Sequence, residues 1–272
     1  MAAARRSGAI AGGCAVTIGN FDGVHRGHQA MLALLQSEAS HRGVPPCVLT
    51  FEPHPRDFFA RRAAKPELAP RRIATLRDKL SELRRCGVQQ VVVLRFDERF
   101  AGLSPQDFID TVLVRGLAAR YVLVGDDFRF GAKRAGDYAM LDAAGDAQGF
   151  DVARMLSYEV HGLRVSSSAV REALGSGDMP RAAALLGRPY AISGHVVHGR
   201  KLGRTLGFRT LNLRFGHARP AAMGIFVVEV QGLADQPLQG VASLGVRPTV
   251  EDAGRVLLEV HCLQWPPALA TD

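Results

Sequence analysis

The chain is poor in aromatic residues: Phe, Trp and Tyr make up 7% of its 272 residues, and there is a single tryptophan. That argues against the interleaved aromatic platforms that hold single-stranded nucleic acids. No RNA-recognition or zinc-finger pattern takes their place. Cysteine is scarce too. Cys14, Cys47, Cys86 and Cys262 are scattered without a CxxC pair, which favours reduced thiols in a cytoplasmic protein over disulfides or a zinc site. No apolar run approaches the roughly 18 residues of a membrane span. The N-terminal "MAAARRSGAIAGGCAV" interrupts its small apolar residues with glycines and leads straight into the first motif, so it does not read as a cleaved leader. Lysine-rich tails are missing as well. The net charge of +8 comes mostly from arginines spread along the chain, such as Arg61, Arg62, Arg71, Arg72, Arg84 and Arg85. Most of these read as solvated helix faces. The charge therefore points to small phosphorylated ligands rather than to nucleic acid or membrane, and an oligomer stays open.

What is present is enough for two domains and a proper core: 47% of the residues are hydrophobic. The first part alternates compact β-branched runs ("AVTIG", "CVLTF", "VQQVVVLRF", "ARYVLVG") with amphipathic stretches ("GHQAMLALLQSEA", "ATLRDKLSELRRCG", "SPQDFIDTVLVRGL"). In the second stretch Leu76, Leu80 and Leu83 share a face, and Gly87 follows as a stop. The third starts with Ser104 as N-cap and Pro105 at the first helical position. This order predicts an α/β domain, residues 1–186, with a parallel sheet covered on both faces and ligands at the carboxyl ends of its strands. From Tyr190 onward no long helical pattern remains. "YAISGHVVHG", "TLNLRF", "GIFVVEVQGL", "LQGVASLG" and "RVLLEVHCL" read as strands separated by turn residues, which predicts a small antiparallel β-barrel over residues 187–272.

The densest chemistry lies in "TIGNFDGVHRGHQAMLALL", where His25 and His28 stand at the start of a predicted helix, straight after a strand. A helix N-terminus offers free N–H groups and a positive dipole end to phosphate. Two imidazoles add donors that could hold a triphosphate and stabilise charge at a phosphorus under attack. Gly19, Gly23 and Gly27 let backbone come close to a nucleotide. Two alternatives stay open on the residues alone: a metal site, which lacks companion ligands, and a pair of histidines that simply cap the helix.

"GNFDGVHRGH" resembles the HxGH signature of the nucleotidyltransferase superfamily, and specifically that of bacterial bifunctional riboflavin kinase/FAD synthetases. "FEPHP" (51–55), "VGDDFRFG" (124–131), "RVSSSAVREAL" (164–174) and "LLGRPY" follow in the family's order, and the likeness runs from about Thr17 to Leu263. The resemblance implies a Rossmann-like nucleotidyltransferase domain in which the FMN phosphate attacks the α-phosphorus of ATP, with Mg²⁺ assisting and no covalent enzyme intermediate. It implies that His25, His28 and Arg171 act in catalysis. Gly19, Asn20, Phe21, Gly23, Arg164, Ser167 and Ser168 would join them around ATP. Phe128 and Phe130 would contact the flavin ring and Asp126 would accept a hydrogen bond from it, with Phe51 and His54 at the same pocket.

The barrel half is similar to a riboflavin kinase module. "HGRKLGRTLGFRTLNL" (198–213) looks like the family's glycine-rich segment and PTAN motif, which implies Lys201 and Arg204 as added charge and Thr210 and Asn212 as the side chains that position Mg²⁺–ATP. Glu259 matches the base that takes the proton of the riboflavin 5′-hydroxyl; a glutamate on such a strand is otherwise ordinarily solvent-facing. The pattern departs at Arg209 for proline, at Leu211 for alanine, at Ser243 for asparagine, and in a barrel that ends early. The resulting expectation is an adenylyltransferase joined to a kinase module of impaired activity. A fully active bifunctional enzyme and a non-catalytic flavin- or nucleotide-binding protein are the alternatives.

Overall fold

The computed structural model describes residues 12–156, 158–160, 163–197, 210–214, 219–246 and 256–265. The first parallel sheet consists of β1 (Cys14–Ile18), β2 (Pro46–Glu52), β3 (Gln90–Arg95), β4 (Ala119–Gly125) and β5 (Asp151–Met155), in the spatial order β3-β2-β1-β4-β5. Every residue of β1 is buried, as a central parallel strand covered on both faces requires. One face packs on α1 (Arg26–His41) through Leu35 and Ala39. The opposite face, carrying Cys14, Val16 and Ile18, packs on Phe108, Ile109, Leu113 and Leu141.

After β2 the chain makes α2 (Pro55–Arg62) and then α3 (Leu76–Arg85). The leucine stripe read from the sequence is there: Leu83 is fully buried, while Leu76 at the start of the helix stays exposed. Gly87 takes φ +75° and stops the helix as anticipated. A short α4 (Glu98–Ala101) precedes α5 (Pro105–Phe108), which Ser104 caps by accepting the Asp107 amide at 3.0 Å. The predicted third helix then widens over Ile109–Val114 into a π-helical turn, with Arg115 N–H to Asp110 C=O and Leu117 N–H to Val112 C=O bonds five residues apart. α6 (Tyr138–Gln148) leads into β5, a half-exposed edge strand. A two-stranded ribbon, β6 (Glu159–Val160) and β7 (Leu163–Arg164), precedes α7 (Ser167–Gly175) and α8 (Met179–Leu186).

The remaining strands are antiparallel: β8 (Val196–Val197), β9 (Leu211–Arg214), β10 (Gly224–Val230), β11 (Leu238–Val246) and β12 (Val256–Cys262). Their order is β10-β11-β12-β9-β8, with β10 and β8 at the two ends among the described residues. Ala242, Leu244, Leu258 and Val260 bury one face of this sheet.

Two compact units result, and they do not follow chain order. The first takes residues up to Pro70, Leu76–Ala169 and Leu185–Gly187; the second takes Arg71–Thr75, Val170–Ala184 and the chain from Arg188 onward. The expected division at residues 186/187 is a single cut, whereas Arg71–Thr75 and most of α7 and α8 group with the second unit. The reading of the cysteines as thiols fits their surroundings: all four are free, and three are buried. The Cys14 sulfur and burial push the Cys47 thiol up, so it stays protonated. Among the described residues no helix is long and apolar enough to cross a membrane.

Candidate active site

The strand order turns back between β1 and β4: from β1 the chain moves outward to β2 and β3, then returns to place β4 on the other side. In open α/β sheets the crevice at such a reversal, outside the carboxyl ends of the strands, is where ligands bind. The loops that leave β1 and β4 there are Gly19–His25 and Asp126–Gly131. Sequence motifs a hundred residues apart thus start from neighbouring strands.

The first loop is tightly specified. Gly23 has φ +85°, which glycine adopts freely, but Phe21 (+48°) and Val24 (+42°) also lie in the left-handed region. For a β-branched residue that is strained, at about 1–3 kcal/mol, and the buried Val24 side chain and surrounding bonds hold it. Gln29 reaches back to the Val24 carbonyl at 2.8 Å and also donates to Leu186 O at 2.7 Å. The loop ends at His25, the N-cap of α1: its Nδ1 accepts the His28 amide at 3.3 Å. That bond leaves the proton of the neutral imidazole on Nε2, so the ring presents a donor on its far side. The His28 ring stacks on His25 with centroids 3.7 Å apart and planes 15° apart, and Phe21 packs against it at 4.8 Å. A Cβ on Gly27 would come within 3.3 Å of the His25 ring, so glycine gives the imidazole its room. Capping and phosphate contact are compatible here, since the cap uses Nδ1 alone.

From "RVSSSAVR", Ser167 reaches the same loop. Ser167 Oγ donates to the Asp22 carbonyl at 3.1 Å. Ser166, not one of the two serines singled out from the sequence, caps the helix by accepting the Ala169 amide at 3.2 Å. Ser168 is exposed. Arg171 lies beyond the first turn and donates from Nε to Arg71 O at 2.7 Å.

At the end of β4, Asp126 faces Arg164 across 3.5 Å, so two residues assigned to different ligands meet each other. The two phenylalanines differ. Phe130 is buried against Phe108, and Gly136 lies on its ring so closely that a Cβ there would sit 2.7 Å from it. Phe128 is only half-buried and stacks on Phe130 at 5.5 Å. Scarce as aromatics are, eight phenylalanines among the described residues form one connected cluster: Phe128, Phe130, Phe108, Phe100, Phe51, Phe96, Phe58 and Phe59. Phe51 belongs to its interior. His54 is buried and caps α2, its Nδ1 accepting the Arg56 amide at 3.1 Å. Beside it an open cavity of about 470 Å³ is lined by Pro53, Phe58, Arg61, Arg62, Arg95, Phe96 and Asp97; Arg61 and Arg62 are exposed there, as read from the sequence.

The sequence reading missed Lys79, which is 2% exposed. It lies on α3 within the leucine stripe, and that position was its signal.

In the second unit, β-register does what the loop does in the first. Ser243 on β11 pairs with Glu259 on β12, and Glu259 pairs with Asn212 on β9. The three form one row on one face of the sheet. Asn212 is buried, and its Oδ1 has no hydrogen-bond partner among the described residues. Thr210 precedes β9 and is exposed. Lys201, Arg204 and Arg209 lie outside the described residues. Among the described residues no group of three His, Cys, Asp or Glu side chains could hold a metal.

A family model described as FAD synthetase matches residues 8–169, and one described as riboflavin kinase matches 186–271. The chain belongs to the bifunctional riboflavin kinase/FMN adenylyltransferase family. It is 49% identical over 251 residues to the curated Bifunctional riboflavin kinase/FMN adenylyltransferase of Escherichia coli (strain K12), covering 92% of this chain and 78% of that protein. The protein of that name from Pseudomonas fluorescens is 47% identical over 253 residues, covering 93% and 79%. That from Haemophilus influenzae is 44% identical, covering 93% and 80%. A solved structure described as a macrolide-efflux protein from Streptococcus pneumoniae superimposes with a TM-score of 0.75 at 28% identity, covering 94% of this chain and 81% of that one. The chain thus carries both parts, an FAD synthetase followed by a riboflavin kinase domain.

Proposed function

We infer that the chain makes FAD from FMN and ATP in its first part, residues 1–186, and FMN from riboflavin and ATP in its second, residues 187–272. The observation that carries the first reading is the stacked His25–His28 pair at a helix N-terminus, beside the point where the strand order reverses. A phosphate oxygen of FMN attacks the α-phosphorus of ATP; the new P–O bond forms as the bond to pyrophosphate breaks. No protein nucleophile is needed, so catalysis is positioning and charge stabilisation. His25 gives its Nε2–H, and His28 stacks on it to stabilise the charge developing on the triphosphate. The amides of the first turn of α1 add the dipole end. Gly19, Asn20, Phe21 and Gly23 shape the loop around ATP. Ser167 and Ser168 offer hydroxyls, while Arg164 and Arg171 offer guanidinium charge once they exchange their present partners for phosphate. Phe128 takes the flavin ring, with Phe130 as its buried support. Asp126 accepts from the flavin edge. Phe51 and His54 hold the wall behind.

In the second part Glu259 takes the proton of the riboflavin 5′-hydroxyl as that oxygen attacks the γ-phosphorus of ATP; the new P–O bond forms as the bond to the β–γ bridging oxygen breaks, and ADP leaves. Mg²⁺ would be held by Thr210 and Asn212, and the orphaned Asn212 Oδ1 fits an oxygen-seeking cation. When bound, Mg²⁺ supplies neutralisation of phosphate charge. An active kinase is favoured over an impaired one by the position of Leu211: alternate strand residues face opposite ways, so its bulk lies with buried Val260 on the face away from the Asn212–Glu259 row.

The test is two reactions with Mg²⁺–ATP resolved by HPLC, one on riboflavin and one on FMN. FAD in both supports the whole reading. FAD from FMN alone returns the kinase to the impaired state that its departures suggested, and no product from either leaves a binding protein.

A further inference from the structure

We propose that Lys79 is a positioning residue for adenylyl transfer: its buried ammonium fixes the peptide after Asn20 and, through it, the imidazoles of the loop. The inference rests on the adenylyl-transfer reading above and adds to it a residue that acts through the loop after β1. Lys79 Nζ donates to the Asn20 carbonyl at 3.3 Å, to Thr50 Oγ1 at 3.3 Å and to Glu52 Oε1 at 2.9 Å. An ammonium has three N–H donors, and these acceptors come from two neighbouring places: Asn20 in the loop after β1, and Thr50 and Glu52 in the last three residues of β2. The Thr50 hydroxyl donates to the same Asn20 oxygen at 3.3 Å.

Burying a lysine is a poor way to gain stability, because desolvation offsets the ion pair and an apolar side chain of that length packs as well. What the ammonium adds is direction. A trans peptide is planar, so a carbonyl of Asn20 drawn toward Lys79 and Thr50 turns the Phe21 N–H the opposite way. Phe21 itself is held at φ +48°, and its ring packs on His28, which in turn stacks on His25. A chain of contacts thus runs from Lys79 through Asn20 and Phe21 to both imidazoles. Two donors on one carbonyl are the means by which a strained loop conformation is kept.

The test uses the full chain, with kcat and KM measured for FAD formation from FMN and for riboflavin phosphorylation in parallel. Lys79→Met should lower kcat for FAD formation by about 10- to 100-fold, the scale of a small misplacement of reacting groups. The melting temperature should fall, because Glu52 loses its partner, but riboflavin phosphorylation at 25 °C should stay that of the wild type. Thr50→Val removes the second donor and should lose less, in the same step, and less than additively with Lys79→Met. Wild-type kcat in both variants overturns the proposal. So does a parallel fall of both activities with the melting temperature, which marks a packing role alone. If Lys79→Met does not fold, Thr50→Val decides by the same criteria. A wild-type chain that forms no FAD from FMN overturns the functional reading itself, a result seen before any variant is made.

Discussion

In the α/β unit Phe21, His25 and His28 lie within eight consecutive residues of one loop and the first turn of α1, whereas Ser243, Glu259 and Asn212 are drawn from three separate strands into one row. The loop gets its shape from local devices: a glycine and two strained residues at positive φ, a histidine cap, and a glutamine that reaches back to the Val24 carbonyl. The row gets its shape from register alone, where a slip of one residue turns a side chain to the opposite face. The first arrangement concentrates risk in single residues. The second spreads it over the pairing of a sheet. Each reacting group should therefore be removable without harm to the other activity, and that is the sharpest way to break the comparison.

His28→Ala carries the largest effect. FAD formation from FMN should fall by about 10³-fold or more, since it removes the ring that His25 stacks on and, on the proposed function, a donor to the reacting phosphates. Riboflavin phosphorylation and the melting temperature should not change. Glu259→Gln is the mirror image: it keeps the shape of the row and removes the proposed base, so riboflavin phosphorylation should drop by about 10²–10⁴-fold while FAD formation from supplied FMN is untouched. Loss of both activities in either variant would mean that the two units do not keep their chemistry apart.

A third variant asks whether the row has a functional face and a structural one. Leu211→Ala shortens the residue beside Asn212 on the strand but opposite it across the sheet. It should cost about 1–2 kcal/mol, less than a fully buried leucine because the side chain is only half-buried. KM for ATP in riboflavin phosphorylation should stay unchanged. A lowered KM would return Leu211 to the nucleotide side and restore the argument that its bulk impairs the kinase.

How much of this was legible before the structure follows the same division. The loop motif, the parallel sheet with helices on both faces, and the caps at Ser104 and Pro105 are local features, written in contiguous residues, and they could be read. β5 could not: its residues are half-exposed at a sheet edge, so no apolar run announces it. The π-helical turn after Phe108 keeps a helical hydrophobic pattern, so the pattern does not reveal the wider winding. Phe128 and Phe130 look alike in "DDFRFG", and only tertiary packing against Phe108 and Gly136 separates the buried ring from the one near the surface. Lys79 escaped notice because a single lysine in a helix is ordinarily solvated. Its place at i+3 from Leu76 and i−4 from Leu83, inside the apolar stripe, was the available sign. Glu259 and Asn212 could be named only by resemblance, because no property of one strand foretells its partner across the sheet.

The smallest effect concerns how local devices support the loop. Ser166 accepts the Ala169 amide and so caps α7, while its neighbour Ser167 donates to the Asp22 carbonyl. One serine holds the helix and the next ties it to the histidine loop. Ser166→Ala leaves one first-turn amide without its partner and should cost about 1 kcal/mol, a fall of about 2–4 °C in melting temperature for a chain of this size. The helix is also fixed by buried Val170, Ala173 and Leu174, so its first turn should stay in place and the rate of FAD formation at 25 °C should hold. If the rate falls instead, the cap at Ser166 is needed to aim Ser167. The serine run would then act as one unit with the histidine loop, and the site in the α/β unit would prove as distributed as the row on the sheet.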